Sequence, residues 1–574
     1  MRDLFLRTLV IFGVVAVLLT ELLSVLGLLR TIPLAIAWAL IAIAAACRFR
    51  PTRPKLHLRT LETAAAAICS AIVAIVALTA ILSPPNSADA MAYHLPRVIY
   101  WAQAGSVAFF PTPYFNQVML QPMAEYLMLH TYLLSGGDRL VNLIACGAFA
   151  GCLVGASAIA AAMGLSKRGQ AFAAVVCATI PNAILQASGA KNDLLLSLWM
   201  VCAVYFALRR EAVWFGLAVG LALATKATGY LFLPPVLLAV CLPRRREIAW
   251  IAAGVLLLNA PQYIRNTRLS GSPLGYDSAQ GNGFFRWRNE RLGWRPIVSN
   301  ALRNGSEQLG ARSENWNRAV YGTVIRSHQK LGLDPQDPDT TWRWSRYEPP
   351  RNANHEANAN NRWHLLLMAL ASVWAAIRRN VQWMRYAAGL LLAFLLFCGY
   401  LKWQPFQARL EIPLFILGSV LAAWLLDLLR PSWLAIPICL FLIDGARAPL
   451  FNNWTRPLKG PHSLWTATRD DNYFRDMGQW NNQASYLDAV DRVAASQCGL
   501  VGLDISENQL EYPFQALLHE RRPGVRFMDT GVAGATGRPC AVVCLDCEGN
   551  GQKAAMYAGM KESLRIGRFL IFLD

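Results

Sequence analysis

Apolar residues run through this chain in long uninterrupted stretches, separated by short connectors rich in arginine. Stretches of about 17–25 apolar residues have the length to cross a bilayer as helices. The pattern predicts thirteen spans, near 4–29, 31–47, 60–82, 139–163, 170–187, 193–208, 212–225, 229–242, 247–265, 363–377, 383–401, 410–429 and 432–450. The first stretch has the look of a signal peptide. It lacks a small-residue cleavage site and a second apolar run follows at once, so it reads as a span.

The connectors orient these spans. Arg48, Arg50, Arg53, Lys55 and Arg59, then Lys167–Arg168, Arg209–Arg210, Arg244–Arg246 and Arg378–Arg379, all fall on one side if the N-terminus is cytoplasmic. Positive charge marks the cytoplasmic side. Thirteen spans then place the C-terminus outside, in the bacterial case the periplasm. The same orientation sends outward the loop 83–138, the connectors QASGAKND and TKATG, the long loop 265–362, and KWQPFQAR. Every polar cluster with chemical interest lands on that outer face.

In the first outer loop, AMAYHLPRVIYWAQAG and QPMAEYLMLHTYLL are patterned as short helices lying in the interface, with Tyr and Trp at headgroup level. Beyond residue 450 the chain turns polar. CGLVGLD, VRFMD and CAVVCLD read as strands, NYFRDMGQWNNQASYLDAVDRVAAS and YPFQALLHE as helices. The fold class is therefore an α-helical polytopic membrane protein, 1–450, followed by a small extracytoplasmic α/β domain, 451–574.

Composition agrees. Of 574 residues, 55% are hydrophobic and only 16% charged, where a soluble domain carries about 25% charged. The net charge of +19 lies mostly in the connectors and in one Arg/Trp-rich loop, with no nucleic-acid recognition motif, so nucleic acid is not the partner. Of 13 cysteines, nine fall in apolar runs; Cys498, Cys540, Cys544 and Cys547 lie in the polar C-terminal region. There, one disulfide and strand-end thiols are both open readings.

Asp89 lies just past the third span. On a helix, Tyr93 and Arg97 would share its face. A carboxylate at this boundary suits a general base, or it simply caps the helix. Lys191, Asn192 and Asp193 open the sixth span. Charge at that depth is a functional hypothesis by default, with an N-cap as the alternative. Lys226 either serves a site or snorkels to headgroups. In KWQPFQARLEIP, Lys402 and Arg409 suit phosphate oxygens, while Trp403 and Phe406 suit a sugar face or merely anchor the interface. Arg265 opens the long loop, whose Trp and Arg residues suit a headgroup layer or a lipid phosphate.

An acidic residue in the first outer loop, a second acidic motif of the KND type and a late R-x-x-x-P motif, Arg409 to Pro413, together resemble the GT-C membrane glycosyltransferases. The order is similar to the branch of protein O-mannosyltransferases and lipid A aminoarabinose transferases. The stretch DAMAYHLPR…GSVAFFPTPY…QPMAEY…SGGDRLVNL resembles a bacterial subgroup of that class, and the likeness covers about 60–430. The resemblance implies a GT-C fold, a polyprenyl-phosphate sugar donor and a pocket facing the periplasm. It makes Asp89 and Asp193 the catalytic acids and places Arg409 at the donor phosphate. Lys191, Lys226 and Lys402 assist there by charge and position, with Tyr93, His94, Arg97, Gln121, Glu125 and Arg265 as pocket candidates. It implies inverting transfer to a hydroxyl of a glycan, lipid or protein acceptor, with Asp89 as base, at the inner membrane and among its lipids. A divalent metal stays open and no other cofactor is implied. An O-antigen ligase or polymerase, or a lipid or oligosaccharide transporter, are the alternatives.

Overall fold

Each of the thirteen apolar stretches folds as helix. A computed structural model describes residues 1–48, 60–276, 286–476, 483–505, 510–545, 547 and 551–574. Arg50, Arg53, Lys55 and Arg59 of the first basic connector, part of the helix read from NYFRDMGQWNNQASYLDAVDRVAAS, and Asp546 lie outside the described residues. The membrane part begins with α1 (Arg2–Val25), α2 (Thr31–Arg48) and α3 (Thr60–Leu82). The first outer loop holds α4 (Leu95–Ala104), α5 (Asn116–Met119) and α6 (Met123–Ser135). There follow α7 (Leu143–Ala162), α8 (Lys167–Ala178), α9 (Pro181–Gln186), α10 (Asp193–Leu208), α11 (Ala212–Thr225), α12 (Gly229–Val240) and α13 (Arg245–Ser270). Three further apolar helices, Arg362–Ile377, Val381–Tyr400 and Ile412–Leu428, precede the pair Ala435–Gly445 and Arg447–Phe451. Among the described residues, seven helices are long and apolar enough to cross a membrane, and four shorter apolar ones accompany them. This is a multi-pass membrane protein. The fifth predicted span is broken into α8 and α9 at Pro181, which lacks the N–H a continuous helix needs.

Two helices form the centre. From Asp193 to Ala207 α10 is buried on every side, and Ile412–Leu428 nearly so, as expected of helices apolar all round. They pack on each other, and the N-terminal end of each carries a charged residue, Asp193 and Arg409. Around them, α11 and α13 approach closely through Gly216, Gly220 and Gly254: a Cβ on Gly216 would meet the Trp250 carbonyl.

The helices of the loop 83–138 pack against protein. Trp101, His94, Glu125 and Arg97 are all essentially buried, so α4 and α6 pack inward as part of the protein core. Apolar side chains leave lipid for protein here because buried carboxylate, imidazole and guanidinium groups inside the loop need partners that lipid cannot supply.

After the last apolar helix comes a five-stranded sheet in the order β2-β1-β3-β5-β4. Its strands are β1 (Leu500–Asp504), β2 (Arg526–Asp529), β3 (Ala541–Leu545), β4 (Glu562–Ile566) and β5 (Phe569–Leu573). The first three are parallel and β5 runs antiparallel to β3 and β4. Helices Gln483–Ala495 and Tyr512–Arg521 cover it. Cys498 pairs with Cys540, and Cys544 with Cys547.

Candidate active site

Asp89 stands one residue ahead of a π-helical turn, Ala90–His94, that runs into α4. Capping falls to Ser87, whose hydroxyl accepts the Ala90 N–H at 3.3 Å, while the Asp89 side chain makes no capping bond. Its carboxylate takes the Arg409 guanidinium instead. The two residues are 320 positions apart in sequence. Arg409 belongs to a short 3-10 turn, Gln407–Glu411, that feeds the central helix Ile412–Leu428. The pair is partly open: the Asp89 side chain is 22% exposed and that of Arg409 16%.

The KND motif also serves the site rather than its own helix end. Neither Asn192 nor Asp193 caps α10 with its side chain. Lys226 reaches them from the end of α11, donating to Asp193 Oδ1 at 2.5 Å and Asn192 Oδ1 at 2.9 Å, so it does not snorkel outward. Lys191 turns the other way, to Glu356 at 2.7 Å. Glu356 is fully buried and also takes Arg456, which donates to Asn86 Oδ1 at 2.8 Å, Ser188 Oγ at 3.0 Å and the Leu185 carbonyl at 3.1 Å. A buried carboxylate between two cations is well compensated, and losing any one partner would strand a charge. Among the described residues, Arg409 Nε and Asp193 Oδ2 are buried polar atoms without a hydrogen-bond partner.

Burial pushes the Asp89 carboxyl up, but Arg409, then Lys191 and His94, outweigh it and hold it well below the usual carboxylate range. Burial, reinforced by Arg409, brings the Lys191 ammonium down to about 8. Burial, with Asp89 beside it, pushes the Tyr93 hydroxyl far up, which keeps it a neutral donor. Tyr93 packs on His94 at 4.3 Å and on Tyr114 at 6.1 Å between ring centres.

The remaining candidates are engaged by other partners. His94 Nδ1 bonds Glu125 at 2.9 Å, and Arg97 sits 3.5 Å from the same carboxylate while donating to the Leu120 and Val118 carbonyls at 2.9 Å. Gln121 is buried in the same loop. Arg265 forms a bidentate pair with Glu21, at 2.9 and 2.7 Å, and bonds Tyr126. Lys402 binds Glu290 at 2.8 Å and the Pro338 carbonyl at 3.0 Å, tying down the long loop. The structure thus gathers Asp89, Tyr93, Lys191, Asp193, Lys226 and Arg409, and leaves Arg97, Arg265 and Lys402 in separate pairs. Sequence reasoning missed Glu356, Arg456, His355 and Asp476, which complete the cluster from loops. One signal was available: HE in NANHEANANN is the sole charged or titratable pair in a run of Asn and Ala.

Four cations, Arg409, Lys191, Lys226 and Arg456, meet four carboxylates, Asp89, Asp193, Glu356 and Asp476, in this cluster. Among the described residues, Asp504, Cys544 and Cys547 converge as metal ligands would, but in the C-terminal sheet. There the sulfurs are paired with each other and Asp504 already holds Lys553 and Tyr557.

The fold has a known counterpart. The chain superposes on the crystal structure of ArnT from Cupriavidus metallidurans bound to undecaprenyl phosphate, with a TM-score of 0.51 and 15% identity, over 88% of this chain and 97% of that one. The apo ArnT structure aligns over the same shares with a TM-score of 0.49 and 14% identity. No family model matches the sequence, and no curated protein matches it. The architecture is the fold of that ArnT structure.

Proposed function

We propose that the chain is a membrane glycosyltransferase that moves a sugar from a polyprenyl-phosphate donor to an acceptor hydroxyl, with inversion. The Asp89–Arg409 pair carries this reading: a carboxylate and a guanidinium held together where the helices begin, in a cluster of paired charges. The undecaprenyl phosphate bound to the ArnT structure supports the same class of donor here.

In the resting site Arg409 occupies Asp89 and keeps it a weak base. A donor phosphate offers Arg409 a better partner, since a guanidinium binds phosphate oxygens bidentately and its buried Nε has no partner. Lys191 and Lys226 flank the phosphate. As Arg409 turns to the phosphate, Asp89 is released, its basicity rises, and it takes the proton from the acceptor hydroxyl. The hydroxyl oxygen attacks the anomeric carbon from the face opposite the phosphate. The glycosidic C–O bond breaks with its electron pair leaving on polyprenyl phosphate, and the cations stabilise that charge. No step is routed through a metal. The position of these charges at helix ends, rather than mid-span on broken helices, supports transfer over transport.

The site would face the periplasm from the inner membrane, with the N-terminus cytoplasmic and the C-terminal domain outside. An alkaline phosphatase fusion after Asp574 is then active, and a fluorescent green fluorescent protein fusion there refutes the orientation. The function itself is tested by supplying membranes with a panel of radiolabelled polyprenyl-phosphate sugars. Label must leave one donor for an acceptor only when the chain is present. A chain that moves no label from any of them is not this enzyme.

A further inference from the structure

Asp476 lies beyond the last apolar helix, yet it touches the catalytic loop. One carboxylate oxygen accepts the N–H of Ala88, the residue immediately before Asp89, at 2.8 Å. The other oxygen meets His355 Nε2 at 2.6 Å. His355 Nδ1 accepts the Ala357 N–H at 3.1 Å, which fixes the tautomer: Nδ1 bare, Nε2 protonated and donating to Asp476. The Ala357 carbonyl in turn accepts the Arg409 N–H at 3.3 Å. A single carboxylate therefore holds both halves of the Asp89–Arg409 pair, one directly and one through His355 and a peptide. The Asp476 side chain is about nine-tenths buried, with 10% exposure, so these bonds are not competed away by water.

We infer that Asp476 is a positioning residue for the transfer reaction, setting the separation of base and phosphate ligand from a segment outside the membrane bundle. This rests on the functional reading above. The two arms act on different steps. The Ala88 arm orients Asp89 and so governs the chemical step; the His355 arm orients Arg409 and so governs donor binding. A structural brace alone would not divide its effects in this way.

The test compares His355→Ala with Asp476→Ala in purified full-length protein. His355→Ala weakens donor affinity about tenfold, as expected for a misplaced charged hydrogen bond, and lowers kcat less than threefold. Asp476→Ala weakens affinity similarly and also lowers kcat about a hundredfold, the cost of a reacting group displaced by about 1 Å. Because the kcat loss acts through Asp89, adding Asp476→Ala to Asp89→Asn lowers turnover no further. Hydrogen exchange at the Ala88 amide rises about tenfold in Asp476→Ala and needs no activity to be read. If the wild type transfers no sugar, the functional reading fails while amide exchange still judges the contact. If the wild type is active and the two variants shift the same parameters together, or Asp476→Ala leaves amide exchange and kcat unchanged, the inference is wrong.

Discussion

If a donor phosphate draws Arg409 away from Asp89, the carboxyl should titrate differently with donor bound. In the free enzyme Arg409 holds Asp89 well below the usual carboxylate range. The bond it supplies is charge-assisted, worth about 1.5–3 kcal/mol. At about 1.4 kcal/mol per pH unit, its loss raises Asp89 by about one to two units. A second negative charge, on the phosphate, pushes in the same direction. The base works ionised, so activity falls as pH falls through its pKa. The acid limb of kcat/KM reports the free enzyme and that of kcat the donor complex. The kcat limb should therefore lie about one to two units above the kcat/KM limb, the shift derived above. Arg409→Gln, which breaks the resting pair, should bring the limbs together and raise KM for donor. The assay is single-turnover transfer of labelled sugar at saturating and subsaturating donor across the acid range, so that product release does not mask the chemistry. Coincident limbs in the wild type, or a kcat limb at the lower pH, would refute release of Asp89 by phosphate.

Two further groups titrate nearer neutrality. Lys191, brought down to about 8, holds a phosphate only as an ammonium, so donor affinity should fall as pH rises through about 8; Lys191→Met should remove that dependence, and an unchanged slope in the binding isotherms contradicts the assignment. Glu511 fastens the C-terminal domain to the first outer loop, accepting Tyr100 at 2.6 Å and Gln117 at 2.9 Å. Burial raises it to about 7, with Asp529 raised well above its ordinary value alongside. Stability from this contact is fully present below the ordinary carboxylate pKa and is lost as pH rises through about 7. Protection of the α4 amides, taken relative to their intrinsic exchange rates at each pH, should fall on that rise in the wild type and not in Glu511→Gln.

Much of this architecture was legible because lipid imposes simple rules. Apolar length marked the thirteen apolar stretches that fold as helix but not Trp294–Gln308 and Glu314–Leu331 in the long loop, whose sequences are polar. Asp89 and Arg409 could be named as partners of one phosphate, but nothing local said that they touch each other. The expectation that Arg97 shares the face of Asp89 failed for a definite reason. The π turn Ala90–His94 inserts an extra residue, and one residue is about 100° of helix, so Arg97 swings inward to the Leu120 and Val118 carbonyls. Glu356, His355, Arg456 and Asp476 sit in polar loops without periodicity, where pairing is decided by tertiary contact alone. β4 and β5 escaped notice too: ESLRI is a half-exposed edge strand with charges on it, and only its pairing with FLIFL marks it as sheet.

The central claim is that Asp89 is the base of a sugar transfer from polyprenyl phosphate. The measurement that bears on it most directly is turnover of the active donor by purified wild type and Asp89→Asn, with donor affinity and melting temperature taken on the same preparations. Asparagine keeps the size of the side chain but not its basicity. The account predicts that Asp89→Asn melts with the wild type, binds donor at least as tightly because Arg409 is no longer engaged by a carboxylate, and transfers sugar about a hundredfold more slowly or worse. Near-normal transfer by Asp89→Asn would contradict it and move the search for the base to Asp193.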